Sequence, residues 1–517
     1  MNPRLDRRQF LRGSAGLLAG LGLSGLPRSA RSAPRRSGAA SGRGIWAELA
    51  AALQGPLLLP GDPDFTRIAQ PWNLRFAAIL PAAIARCSSA ADVGACLLWA
   101  QTNGVSVVAR SGGHSYAGYS TTTGLMIDLS HMNQLSYDSG SGQVHLGGGA
   151  RNSDVYAGLR RVGRAVTHGR CGAVGVAGLV LGGGIGFNMR REGLLCDQMV
   201  ETEVVTVARQ ILRCGAEENA DLFWACRGGG GGNFGINTSF TFQTFPVDTL
   251  TVYDITWTAN LDALLPAALD ILPATTDRLG CKLSVINNGA GISLDLLGQL
   301  TGSPGELRSI LAPLYAIATP SKETVQSLPY WDGQDFLSEE GTPAYSHERS
   351  RYIFDPVPSQ GSRTILDFLN RWPGTQASAT WKIFLTGGAV SAIPADASAF
   401  VHRDARMISS IELDWTASDS VGTVERNEAW LAEFHEAMRP VTSDECYQNF
   451  IDEAQTDYLH AYFGANLNRL VRIKRMYDPL NVLTFPEGIP LALGPPDMAA
   501  RSDLAPNRKS PMMMTMH

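Results

Sequence analysis

Three absences bound the chain before any residue is singled out. No apolar run in its 517 residues reaches the roughly 20 needed to cross a bilayer, so no membrane span is expected. The eight cysteines include no pair at the tight C-x₂₋₄-C spacing of a zinc site. The nearest in sequence are Cys87 with Cys96 and Cys214 with Cys226, so no metal centre is expected and spacing assigns no disulfide. Charge is scarce, at 18% of residues, and its sign is wrong for nucleic acid. Residues 1–40 carry eight arginines against one acid, and taking that +7 from a net −5 leaves −12 on the remainder. An acidic body cannot replace phosphate counterions, which excludes nucleic acid as a partner.

What is present is glycine and an ordinary hydrophobic fraction, 55 residues and 44% respectively. The glycines show no collagen-like period and cluster in loops, which favours binding sites built from bare backbone. At the N-terminus Arg7-Arg8-Gln9-Phe10-Leu11-Arg12 leads into a short apolar segment, Ser14 to Leu23, and then a basic stretch rich in small residues. That layout resembles a twin-arginine export signal over residues 1–40 and implies a periplasmic or extracellular protein. Residues 496–517, with Met512-Met513-Met514, read as a disordered tail.

Between these ends the hydrophobic pattern predicts an α+β fold. Strands are expected at 105–109, 125–129, 143–146 and 204–207, with a helix from a cap at Asn152 or Ser153 to Arg160. From Ile236 to Phe242 apolar and polar residues alternate, which predicts one buried and one polar face. Residues 41–250 read as the first part of a binding domain and 251–440 as a second domain with its own sheet. Residues 441–495 return to helix, with Leu467, Leu470 and Val471 as an apolar stripe ended by Asp478-Pro479.

The chemistry-bearing residues sit in glycine-rich loops. Arg110-Ser111-Gly112-Gly113-His114-Ser115-Tyr116 offers successive backbone N–H groups to an anion together with an imidazole. It lacks the Lys-Ser/Thr ending of a nucleoside-triphosphate loop. Gly230-Gly231-Gly232-Asn233-Phe234-Gly235 fits the dinucleotide fingerprint but precedes a strand pattern, not a helix, so a Rossmann site is rejected. Gly169-Arg170-Cys171 brings a thiol whose pKa His168 and Arg170 are expected to lower. A Cys–His hydrolase fails on context, because no nucleophile signature and no third orienting group is identifiable.

These loops, with Asp221 to Gly229, Gly232 to Ile236 and Tyr477-Asp478-Pro479-Leu480-Asn481, resemble the berberine bridge enzyme-like flavoproteins of the vanillyl-alcohol-oxidase (PCMH) superfamily. The resemblance spans about residues 60–490. It implies a two-domain fold with a discontinuous FAD-binding part and an antiparallel-sheet substrate domain. By it, FAD is bound covalently through His114 and Cys171. The implied cofactor contacts are Arg110, Ser111, Gly112, Gly113, Ser115, Gly175, Val176, Gly178, Gly184, Gly186, Ile236, Tyr462 and Asn466. In related enzymes a valine at the position of Val176 leaves room for dioxygen, implying an oxidase that releases hydrogen peroxide. Ala177 departs from the family's glycine. The family's Tyr-x-Asn-Tyr-x-Asp, whose second tyrosine acts as base, is here Tyr447-Gln448-Asn449-Phe450-Ile451-Asp452, so Phe450 cannot take that role.

Candidates for the base are Tyr116, Glu412, which shares a strand face with Ser410 and Asp414, and Tyr447. The expected reaction is hydride transfer from an alcohol-type carbon of a carbohydrate or hydroxylated secondary metabolite, with O₂ as acceptor. An amine-oxidising or C–C bond-forming flavoenzyme, and a low-turnover flavin-binding or electron-carrying protein, are the alternatives. The partners expected are a small molecule and O₂; nothing in the sequence sets the oligomeric state.

Overall fold

The computed structural model describes residues 44–339 and 341–494. The leader expected over 1–40 and the tail expected over 496–517 lie outside them. Gly44–Trp46 open the helix Gly44–Ala52, and the described sheets all belong to the compact unit that begins at Ala47. The architecture is α+β, as expected.

A four-stranded sheet runs in the order Leu57–Leu58, Ala83–Arg86, Leu125–Asp128, Val107–Arg110, its last three strands mutually parallel. Parallel neighbours need a crossover. The helix Ala90–Asn103 supplies one, capped by the Ser89 hydroxyl, which accepts from the Asp92 amide at 3.2 Å, and ended by Gly104 at φ +63°. The Ser111–His114 loop therefore leaves the carboxyl end of a parallel strand, where α/β sheets present ligand-binding loops.

The second sheet is antiparallel, in the order Leu135–Asp138, Gln143–Gly147, Ile236–Gln243, Met199–Val205, Ile211–Gly215. The alternation read over 236–242 predicts one polar face, but Asn237, Thr238 and Thr241 are buried with the apolar residues. The strand is central in its sheet and bulges between Asn237 and Ser239, and Asn237 Nδ2 donates to Thr202 Oγ1 at 2.9 Å. Polar side chains can lie inside here because they are hydrogen-bonded.

The third sheet has seven antiparallel strands: Lys322–Pro329, Thr249–Trp257, Ile292–Leu300, Leu279–Asn287, Ala379–Leu385, Met407–Trp415, Tyr345–Ile353. Strand period two separates its faces. Leu283, Val285, Trp381, Ile383, Ile411 and Leu413 point into a core shared with the helices Leu261–Ile271, Pro304–Ile317, Ser359–Asn370 and Val421–Ala437. Leu307, Leu311 and Leu314 provide the helical i, i+4, i+7 stripe. The alternate residues Lys282, Lys382, Phe384 and Glu412 face a cavity on the other side.

The C-terminal helix Leu467–Tyr477 packs Leu467, Leu470 and Val471 into the core that also holds Phe223 and Trp224. Its Lys474 is fully buried yet satisfied: Nζ donates to Asp478 Oδ2 at 2.6 Å, Asn233 O at 2.8 Å and Leu483 O at 2.6 Å. Asp452 ties the segment before that helix to the seven-stranded sheet. Its carboxylate accepts from His347 Nε2 at 3.1 Å and Arg349 Nε at 2.7 Å, while His347 Nδ1 meets Glu428 at 2.7 Å. His347, Asp452 and Glu453 lie close together, but the His347 ring nitrogens meet the Glu428 and Asp452 carboxylates, and the Asp452 and Glu453 carboxylates pair with Arg349 and Arg75.

Burial works against the His347 charge, but Asp452 and Glu428 prevail and raise its pKa to about 9. Because this lies above the free imidazole's 6.5, the stabilisation, roughly 3 kcal/mol by linkage, is complete below pH 6.5 and lost as pH rises through 9. The thermal midpoint of the wild type should therefore fall between pH 6.5 and 9 by more than that of a His347→Gln variant; parallel midpoint–pH curves would refute the assignment.

Candidate active site

Two loops make the centre of the cavity wall by touching through glycine. A Cβ on Gly112 would lie 2.2 Å from the Gly175 amide nitrogen, and one on Gly175 would lie 2.3 Å from that of Gly112. Only bare backbone permits this approach. Gly113, at φ +76°, turns the first loop so that His114 follows, and its carbonyl accepts from the Trp72 amide at 3.0 Å. The Trp72 ring stacks on the imidazole at 4.1 Å between centroids. The second loop is pinned to the start of the helix Asn152–Arg160: Asn152 Nδ2 donates to Cys171 O at 3.0 Å and the Ser153 amide to Gly172 O at 2.9 Å. His114 and Cys171 consequently share one cavity of about 710 Å³, within the size range of cofactor and ligand sites.

Burial, with help from Arg151, lowers the His114 pKa to about 4, so the ring is neutral. Its buried Nε2 has no hydrogen-bond partner among the described residues. The expected activation of Cys171 needs correction. Burial raises the thiol's pKa, and the amides of Ala173 and Val174 and the Arg170 charge only partly oppose it. Arg170 is paired with Glu339, and His168 is turned away, its ring nitrogens meeting Gly169 O at 2.8 Å and the Tyr330 hydroxyl at 3.0 Å.

Of the residues singled out in the sequence, Ser111, Gly112, Gly113, His114, Ser115, Tyr116, Cys171, Gly175, Gly178, Gly186, Ile236, Glu412, Tyr447 and Tyr462 line the cavity. Four do not, each for a physical reason. The Arg110 guanidinium is turned behind its loop, donating to Ser120 O at 2.9 Å and Ala69 O at 3.0 Å. Val176 opens the helix Val176–Leu181 and is buried in the apolar core; the valine on the cavity wall is Val174. Gly184, at φ +87°, shapes its turn, where a Cβ would meet Leu195 Cβ at 2.6 Å. Asn466 Nδ2 donates to Ala395 O at 2.7 Å and Ser398 O at 3.1 Å, stapling the chain away from the cavity.

The three candidate bases differ sharply. Tyr447 is buried, and its hydroxyl oxygen already accepts from the Gly184 amide at 3.1 Å and Asn449 Nδ2 at 3.0 Å, which suits a scaffold. Tyr116 lies flat against Phe450, with ring centroids 5.4 Å apart and planes 5° from parallel. Burial, then the charges of Glu348 and Glu412, hold its phenol well above the usual range, so it stays protonated. Glu412 carries a carboxylate that accepts from Lys382 Nζ at 2.6 Å. Lys382 also pairs with the buried Glu348 at 3.1 Å and lies 5.9 Å from the Phe450 ring.

Sequence reasoning missed Trp72, Val174, Lys282, Lys382 and the loop Gly230–Asn233, all on the wall. Lys382 left a signal, being the one charge within the apolar strand Ala379–Leu385. The loop Gly230–Asn233 leads into the strand Ile236–Gln243 and not into a helix, so it is no Rossmann turn, yet it borders the same cavity.

An α+β scaffold with a glycine-walled cavity, a neutral imidazole and a thiol on one rim and a charged sheet on the other is the build of a flavin-binding oxidoreductase. A bulky cofactor fits it: a side chain at Gly178, on the wall, would project where nothing lies within 4 Å, and His114 Nε2 is left for a partner. Family models agree, matching an FAD binding domain at residues 81–215 and a berberine and berberine-like segment at 446–490. An uncharacterised FAD-linked oxidoreductase of Bacillus subtilis, YgaK, is 31% identical over 446 residues, 85% of this chain and 97% of that protein. Glucooligosaccharide oxidase of Sarocladium strictum is 30% identical over 445 residues, 78% and 86% of the two chains. The solved carbohydrate oxidase from Microdochium nivale, in complex with a substrate analogue, superposes with TM-score 0.78 at 26% identity, covering 87% of this chain and 100% of that one. The chain belongs to the FAD-linked oxidoreductases, and its fold is that of the berberine-bridge-like oxidases.

Gly175→Ala should force the two loops apart and lower the flavin-to-protein ratio of the purified protein severalfold, while Gly305→Ala, in the helix Pro304–Ile317 where an added Cβ meets only Ser303 Oγ at 3.8 Å, should keep it. Full flavin content in Gly175→Ala would show that the glycine contact does not shape the cavity.

Proposed function

We propose that the protein is an exported oxidase that holds FAD by covalent bonds from His114 and Cys171 and oxidises an alcohol-type carbon of a carbohydrate or hydroxylated metabolite. The observation that carries this reading is the neutral, unpartnered His114 nitrogen and the Cys171 thiol on touching loops of one cavity. FAD, when bound, accepts the hydride and passes both electrons to dioxygen, giving hydrogen peroxide. The arginine-rich leader supports export. The domain reading stands with it: residues 41–250 and 441–495 hold the cofactor, and the sheet within 251–440 roofs the substrate.

The chain's own residues divide the remaining work. Trp72 fixes the plane of the His114 ring, and burial keeps its nitrogen free of a proton. Ala173 and Val174 direct backbone amides at the Cys171 sulfur, which lessens the rise that burial imposes on the thiol without overcoming it. Glu412 takes the substrate hydroxyl proton, and Lys382, donating to it at 2.6 Å, orients the carboxylate. Tyr116 remains a phenol and donates a hydrogen bond to the substrate. The space for dioxygen that the resemblance places at Val176 belongs at Val174, the valine that lines the cavity.

Acid-precipitated wild-type protein should stay yellow, and a His114→Ala/Cys171→Ala double variant should release all its flavin; colour retained by that variant would refute the attachment sites. Glu412→Gln should keep its flavin but lose about 10²- to 10⁴-fold in kcat, followed as peroxide release on a panel of sugars and alcohols. An unchanged kcat would remove Glu412 from the base role.

A further inference from the structure

Three long cationic side chains line the cavity: Arg170, Lys282 and Lys382. Two of them are matched. Arg170 pairs with Glu339, and Lys382 is held between Glu412 at 2.6 Å and Glu348 at 3.1 Å. The Lys282 ammonium, on the strand Leu279–Asn287, has neither a hydrogen bond nor an ion pair among the described residues. Its strand neighbours Cys281 and Leu283 are buried in the core behind the sheet, so period two sends Lys282 to the cavity side, where it lines the wall beside Lys382 and Phe384.

An ammonium in a partly desolvated wall with no counter-ion is costly, and a ligand that brings the missing charge recovers that cost. The nearby carboxylates cannot supply it at contact distance. Glu412 is engaged by Lys382, Glu339 by Arg170, and Asp295, on the adjacent strand Ile292–Leu300, is not within ion-pair distance. We propose that Lys282 anchors a carboxylate of the substrate, so that the compound oxidised in this cavity is a hydroxylated acid, a uronic-acid-type sugar among them, and not a neutral alcohol. The identity of the oxidised carbon rests on the oxidase reading above; the anchor does not.

The surroundings give the anchor a pH limit. Burial, then the charges of Arg170 and Lys382, draw Lys282 down to about 8, against the opposing pull of Glu339 and Glu412. It is therefore charged at pH 7 and discharges as pH rises through 8, and a carboxylate loses its partner over that interval. A neutral analogue of the same shape has no such dependence.

The test uses the flavinylated holoenzyme and two matched pairs, D-glucuronate with D-glucose and mandelate with benzyl alcohol. Binding is read from the visible flavin spectrum and turnover from peroxide release, at pH 7 and pH 9. In the wild type at pH 7 the acid of at least one pair should be favoured over its neutral partner by about 10- to 100-fold, the worth of one charge-assisted hydrogen bond. That preference should shrink at pH 9, collapse in Lys282→Met and return in part in Lys282→Arg. No preference for either acid in the wild type, or an equal loss for acid and neutral member in Lys282→Met, would overturn the proposal; the second result would make Lys282 a support of the cofactor or the fold. Lys282-dependent glucuronate or mandelate binding without peroxide from any compound would leave the anchor standing and sink the oxidase reading. Peroxide from the neutral compounds with no advantage for the acids would do the reverse.

Discussion

Gly112 and Gly175 lie backbone against backbone, each so near the other's amide nitrogen that a single added carbon would overlap it at 2.2 or 2.3 Å. That contact fixes the spacing of the two reactive loops, because each loop is anchored independently on its far side. The first grows from the parallel strand Val107–Arg110, with the Arg110 guanidinium tying down the chain behind it. The second is held by Asn152 and Ser153 at the start of a helix. Close-packed interiors transmit a displacement of this kind without absorbing it. The position of an imidazole relative to a thiol thus depends on two residues that carry no side chain at all.

The charged face of the seven-stranded sheet is the second constraint, and it works differently. Lys382 is one buried cation facing Glu348 and Glu412, with Asp414 two residues beyond Glu412 on the strand Met407–Trp415. Burial and the neighbouring Glu412 push the Asp414 carboxyl up, and burial does the same to Glu348, against the pull of Lys382. Carboxylates crowded round one ammonium share its charge, so altering any one of them changes the protonation of the others. The glycine contact itself carries no charge; the sheet brings Lys282, Lys382 and Glu412 to the cavity wall. Asp452 joins the two, since it lies in the segment just after Phe450 and binds His347 and Arg349 of the sheet.

Much of this was legible in the chain because loops that need bare backbone must be written in glycine. The Gly-Gly-His and Gly-Arg-Cys stretches, the helix after Arg151 and the apolar stripe at Leu467, Leu470 and Val471 follow from local rules. What escaped was direction. Nothing in Arg110-Ser111-Gly112 says that the arginine turns backward to carbonyls at Ala69 and Ser120, and two valines separated by one glycine cannot be told apart until the helix begins at Val176. Asn466 is drawn to carbonyls at Ala395 and Ser398, some seventy positions away in sequence. The charged neighbours of Cys171 point to a lowered thiol pKa, whereas burial, a property of the whole fold, outweighs them. Trp72 could not be found by any local rule, since its stacking on His114 bridges 42 positions.

Phe450 shows how the glycine loops and the charged sheet divide the chemistry. It stands at the sequence position where the resembled motif has a tyrosine; its ring stacks on Tyr116 and lies 5.9 Å from the Lys382 ammonium. A ring in that position interacts with a cation through its π face but offers no lone pair to a proton. Tyr116 is no better suited to accept a proton, because burial, then the Glu348 and Glu412 charges, favour the neutral phenol. The same carboxylates that disable Tyr116 as a base are themselves proton acceptors, and Glu412 is the one of the pair that reaches the cavity wall. On the reading proposed above, proton removal in this chain belongs not to the ring side of the cavity but to the sheet. There a charge can be retuned by substituting one strand residue without disturbing the loops that position His114 and Cys171.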